Sequence, residues 1–187
     1  MQVADTAIAD VKLIVPEVFE DRRGFFMESY NRRRLAEAGI TDDFVQDNHS
    51  RSRRGVLRGL HYQLHRGQAK LVRVTTGRVF DVVVDIRRGS PTFGRWVGCE
   101  LSESNHRQLY APAGFAHGFL VLSEVAEFQY KCSDFHDPDD ERGLPWNDPE
   151  INIQWPLEGL EPVLSDRDRG WQPLSSSSAA ELPEYGA

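Results

Sequence analysis

The chain has 187 residues, with 22 Lys and Arg against 29 Asp and Glu, for a net charge of −7. That length suits one domain with a full core, and the acidic balance excludes a nucleic-acid polymer as partner, because neutralising phosphates needs a basic surface. No run approaches the ~18 consecutive apolar residues of a membrane helix, so no membrane partner is expected.

In chain order the pattern is one of short strands divided by turn signals. Strands are expected at 11–19 and 24–29, then a helix at 32–38 capped by Asn31 and closed by Gly39. Further strands follow at 44–49, 56–62, 70–76, 79–86, 96–101, 107–110, 118–122 and 126–132. In 79–86 the alternation is clearest: Phe80, Val82, Val84 and Ile86 share one face, and Asp81 and Asp85 the other. Gly77, Gly89-Ser90-Pro91 and Pro112-Ala113-Gly114 supply turns. Many strands at near-regular spacing and one clear helix predict an all-β, double-sheet jelly roll. It should occupy residues 1–174 as a single domain, with the small, polar stretch 175–187 as a disordered tail.

Met1–Asp5 lacks the basic start and apolar run of a secretory signal. Cys99 and Cys132 have neither zinc-like spacing nor that of a disulfide framework. Together these point to the cytoplasm. A cluster at Arg51, Arg53, Arg54 and Arg58 inside an otherwise acidic chain fits a small anionic ligand such as a nucleotide diphosphate.

Absent motifs narrow the chemistry. There is no GxGxxG after a strand, no GxxxxGK[ST], no HExxH and no GxSxG. No His-x-His pair occurs either, and His61 and His65 lie four residues apart, about 13 Å along a strand. Neither cofactor nor metal is therefore expected. Of the six histidines, His106 and His136 sit in polar, turn-like contexts and read as surface residues. His117 follows a turn and should stand at a strand entrance on the cleft rim. His61 is distinguished by Arg58 and Gly59 before it and Lys70 at the start of the next strand. An imidazole of ordinary pKa near ~6.5 can accept a proton at neutral pH, and a phenol near ~10 can return one. A His and a Tyr on opposite sides of a carbon would invert it, provided a neighbouring ketone has already acidified the C–H bond.

Several longer runs carry a resemblance. They are Asp21-Arg22-Arg23-Gly24-Phe25-Phe26, Phe44-Val45-Gln46-Asp47-Asn48-His49-Ser50 and Gly55-Val56-Leu57-Arg58-Gly59-Leu60-His61-Tyr62-Gln63. Lys70-Leu71-Val72-Arg73-Val74, Ser90-Pro91-Thr92-Phe93-Gly94, Gly114-Phe115-Ala116-His117-Gly118-Phe119 and Trp146-Asn147-Asp148-Pro149 continue the series. From about residue 10 to about residue 168 the chain resembles the dTDP-4-dehydrorhamnose 3,5-epimerases. The resemblance implies a cupin-type jelly roll, a homodimer, no metal, and inversion at C3 and C5 of a dTDP-linked 4-keto-6-deoxyhexose. It implies His61 as base, Tyr130 as acid, Asp168 as the carboxylate that orients His61, and Lys70 as the charge that stabilises the enolate. It further implies nucleotide-sugar binding by Arg23, Glu28, Gln46, Asp47, Asn48, Arg58, His117, Glu141 and Arg167, some reaching across the dimer. A relative that inverts only C3 or only C5 would share the same His, Tyr and Lys, and a cupin that only binds the sugar would not need both acid and base. One local conflict stands out: strict alternation puts Arg58 and His61 on opposite faces. Either Gly59 marks a bulge, or Arg58 serves the site from the far side.

Overall fold

The computed structural model describes residues 1–186. The first strands are β1 (Gln2–Asp5), β2 (Lys12–Val15), β3 (Val18–Asp21) and β4 (Gly24–Met27). The strand expected over 11–19 is thus divided in two at Pro16, which has no N–H to give a ladder. The helix α1 (Arg32–Glu37) forms as expected, and the Asn31 side chain accepts from the Arg33 and Arg34 N–H groups.

Then come β5 (Gln46–Arg53), β6 (Leu57–Gln63), β7 (Lys70–Thr76), β8 (Arg78–Asp85) and β9 (Trp96–Ser102). They are followed by β10 (Gln108–Ala111), β11 (Phe115–Val121), β12 (Val125–Cys132) and β13 (Glu141–Gly143). A four-residue helix α2 (Asp166–Arg169) lies near the end.

Two antiparallel sheets face each other, in strand orders β1-β2-β10-β7-β12-β5 and β13-β6-β11-β8-β9, and β3 and β4 pair as a separate hairpin. This is the all-β jelly roll the spacing predicted. Between the sheets lies a core that includes Val72, Val74 and Phe128 from the first and Val79, Val83, Phe119 and Val121 from the second. Alternation then sends Val82 and Val84 to the outer face of the five-stranded sheet, where Leu144, Ile151, Ile153 and Trp155 cover them. Both faces of that sheet are therefore dry, and every residue of β11 is buried. Asp81, on the polar face of the alternation, points between the sheets, not to water, and is fully buried.

The segment expected as a disordered tail is packed. Leu174 and Leu182 join the outer core, and Tyr62 donates its hydroxyl to the Glu181 carbonyl at 2.9 Å. Two 3-10 turns, Leu174–Ser176 and Ala179–Glu181, shape this segment. Its low hydrophobicity hid Leu182, which together with Leu174, the residue just before the segment, anchors a short chain against a sheet that needs covering. Residue 187 lies outside the described residues.

Candidate active site

The site begins with a defect in pairing. Along β6 and β11, His61 stands opposite His117 and Arg58 opposite Phe119, so three steps on β6 match two on β11. Gly59, at φ 117°, takes up the extra residue. A Cβ there would sit 2.6 Å from Gly118 Cα and 2.7 Å from the His117 carbonyl, so only glycine fits. This resolves the conflict in alternation. Arg58 and His61 share the inward face, and Arg58 Nε donates to Ser52 Oγ of the facing sheet at 3.1 Å.

Facing them, inward positions on the six-stranded sheet supply Lys70 on β7, Tyr130 and Cys132 on β12, and Gln46 and Asn48 on β5. The register places Lys70 beside Cys132, Tyr130 beside Asn48, and Cys132 beside Gln46. Gln46 Nε2 donates to Asn48 Oδ1 at 3.1 Å, and Asn48 Nδ2 reaches Cys132 Sγ at 3.5 Å.

Asp168 arrives from far along the chain. Ser165 caps α2 by accepting the Asp168 N–H at 3.1 Å, and the buried Asp168 carboxylate meets His61 Nε2 at 2.5 Å. Burial alone would raise the Asp168 pKa. Hydrogen bonds from His61 and Ser165, with one from Trp171, outweigh it and hold the carboxyl below its ordinary range. An ionised Asp168 accepts the Nε2 proton, which leaves the lone pair of His61 on Nδ1. Glu141 Oε1 lies 3.9 Å from that nitrogen, and Glu141 is itself paired with Arg167.

Burial disfavours the charged form of the other groups. It pushes Lys70 down, against the pull of Cys132, Glu141 and Asp81. It pushes the Tyr130 phenol up to about 12, opposed by Arg58. His117 Nε2 contacts both oxygens of Asp81 at 3.0 Å. His117 is thus a buried member of a central strand, and the expected place at a strand entrance on the cleft rim is corrected, because β11 starts two residues before it at Phe115.

The fold brings His61, Lys70, Tyr130, Asp168, Gln46, Asn48, Arg58, His117, Glu141 and Arg167 to one end of the interior. Three expected residues stand apart within the chain. Asp47 alternates outward and pairs with Lys131. Arg23 lies on the separate hairpin, paired with Asp21, and Glu28 pairs with Arg34 at 3.3 Å. The cavity of about 390 Å³ lined by Asp47, His49, Arg73 and Lys131 also borders Asn48 and Tyr130 but does not include His61. Sequence reasoning missed Asp81, Cys132 and Trp171. For Cys132 the signal was available, since it is two residues from Tyr130 in a strand and must share its face.

The family described as dTDP-4-dehydrorhamnose 3,5-epimerase matches residues 5–176. The chain belongs to this epimerase family. A Pseudomonas aeruginosa dTDP-4-dehydrorhamnose 3,5-epimerase is 62% identical over 170 residues, covering 90% of this chain and 93% of that one. A crystal structure of the Legionella pneumophila 3,5-epimerase in complex with dTDP-4-keto-L-rhamnose superposes with a TM-score of 0.96 at 52% identity, over 100% and 99% of the two chains. A 3'-monoepimerase from Streptomyces bikiniensis, in complex with dTDP-quinovose, superposes with a TM-score of 0.91 at 35% identity, over 97% and 92%. Members of the family are isomerases, and the cupin-type jelly roll is their fold. Because a mono-epimerase shares that fold, the scaffold alone does not set the number of carbons inverted. No helix among the described residues is long and apolar enough to cross a membrane.

Proposed function

We propose that this epimerase inverts C3 and C5 of dTDP-4-keto-6-deoxy-D-glucose to give dTDP-4-keto-L-rhamnose. One observation carries the reading: the base and the acid come from facing sheets, His61 from β6 and Tyr130 from β12, so a sugar between them meets a base on one side and an acid on the other.

The steps follow from the groups present. His61 Nδ1 takes the proton from the carbon beside the C4 ketone, and the C–H electron pair moves through that carbon–carbon bond onto the C4 oxygen. Lys70 holds the resulting enolate as a fixed positive charge in a water-poor site. When the enolate collapses, the same carbon takes the Tyr130 hydroxyl proton on its opposite side. Asp168 stabilises the imidazolium formed in between, and solvent returns His61 and Tyr130 to their starting states. Gln46, Asn48, Arg58, His117, Glu141 and Arg167 surround this point and are suited to hold the nucleotide sugar.

The remaining binding residues support a homodimer. Phe19, Phe25 and Phe26 are more than half exposed on the β3–β4 hairpin, which also carries Arg23. A second copy that covers these aromatics would carry Arg23 and Glu28 toward a neighbouring site. The free thiols Cys99 and Cys132 suit the cytoplasm.

With dTDP-4-keto-6-deoxyglucose in heavy water, the protein should introduce deuterium at both C3 and C5, because each reprotonation draws on solvent. Label at a single carbon would assign a mono-epimerase, and no label would end the enzymatic reading for this substrate. His61→Ala should abolish exchange at both carbons while dTDP still binds.

A further inference from the structure

The strand partner directly opposite His61 on β13 is Gly143. A residue in that position ordinarily places its side chain against its partner's. Gly143 cannot, and the space is filled from elsewhere. The indole of Trp171, two residues beyond α2, lies so close that a Cβ on Gly143 would sit 2.4 Å from its Cε2 and 2.5 Å from its Nε1. From there the ring meets His61 edge-on, with centroids 6.4 Å apart at 70°. Its Nε1–H points to Asp168 Oδ1 at 3.4 Å, the oxygen already bound to His61. The Arg167 guanidinium covers the ring at 5.4 Å.

We propose that Trp171 is a positioning residue for the His61–Asp168 pair, and that Gly143 is the gap that admits it. The inference rests on the assignment of His61 as base. The indole N–H gives Asp168 a second donor, so the carboxylate stays ionised and aimed at Nε2. The ring walls the imidazole on its β13 side, so His61 keeps the rotamer in which Nδ1 faces the substrate. Arg167 and Glu141, held together above the ring, tie this wall to the residues that receive the nucleotide sugar. A change in Trp171 should therefore act on the chemical step and leave ground-state binding nearly intact.

The test compares Trp171→Phe, which keeps a ring and loses the donor, with Trp171→Ala, which loses both. Trp171→Phe should lower kcat for deuterium exchange by about tenfold with KM within about twofold, the size expected from one hydrogen bond to a charged group. Trp171→Ala should lower kcat further, with the thermal transition checked to confirm folding. In protein labelled with 5-fluorotryptophan, the fluorine signal lost in Trp171→Phe should shift in His61→Asn, because the two rings are in edge contact. Equal kcat in Trp171→Phe and wild type, or a fluorine signal indifferent to His61, would overturn the proposal. Exchange surviving in His61→Ala would instead overturn the base assignment on which it stands.

Discussion

Two inward residues of one sheet are pushed apart in acidity by the same burial. Lys70 loses its proton more easily than an ordinary lysine of 10.5, while Tyr130 at about 12 holds on to its own. In the proposed mechanism Lys70 acts charged and Tyr130 acts protonated, so both would fail on deprotonation, with Lys70 failing first as pH rises. The alkaline limb of the kcat profile should therefore lie below 10.5 and precede the part of the tyrosinate absorbance that Tyr130→Phe removes. If the limb coincides with tyrosinate formation, Tyr130 sets it. Asp168→Asn keeps the shape and removes the charge that stabilises the imidazolium. It should reduce kcat by up to on the order of ten-thousandfold, the loss seen when an orienting carboxylate is neutralised elsewhere. At this scale the sequence was legible where a run of residues was distinctive, as around His61 and Lys70. Asp81 was not legible, because an alternating acid in a strand reads as solvent-facing unless both faces of its sheet are known to be covered. Trp171 was hidden for a different reason: its importance depends on an absent side chain at Gly143, in another strand.

Strands were legible wherever alternation lasted long enough, as in β7, whose bounds at Lys70–Thr76 match the expected 70–76. Shorter pieces were not. β13 spans three residues and α2 four, too few for any period to show, and their existence depends on the neighbours β6 and Ser165. The bulge at Gly59 was legible as a contradiction: two residues needed at one site stood on opposite faces. Its resolution yields a prediction for the element as a whole. Gly59→Ala would drive a methyl into the Gly118 backbone at a positive φ, and should destabilise the protein by about 3 kcal/mol. Urea denaturation would measure this. Activity should fall in the molecules that remain folded, because a straightened β6 turns Arg58 away from His61. A stable, fully active Gly59→Ala would show that the bulge does not set the site.

For the whole molecule, the decisive feature is a five-stranded sheet buried on both sides. Alternation marked the apolar face of β8, Phe80 to Ile86, but that face is the outer one, and its cover was not foreseeable because it is built from loop residues between 144 and 182 with no periodic pattern. The closing segment contributes to that cover. Deletion of residues 178–187 removes Leu182 from the outer core and a partner from Tyr62, and should cost about 3 kcal/mol. A thermal melt unchanged by the deletion would return the segment to the role of a disordered tail.

His61 and its carboxylate are separated by 107 residues of chain. During synthesis, the proposed base emerges from the ribosome long before the carboxylate it pairs with. A nascent chain can therefore close most of the sandwich and still hold an unaligned imidazole, with Trp171 and the outer cover yet to arrive. In the proposed mechanism, catalytic competence waits for Asp168. A product truncated by proteolysis or a premature stop before residue 168 would have no carboxylate beside His61, so in the proposed mechanism activity reports that the chain was made at least as far as Asp168.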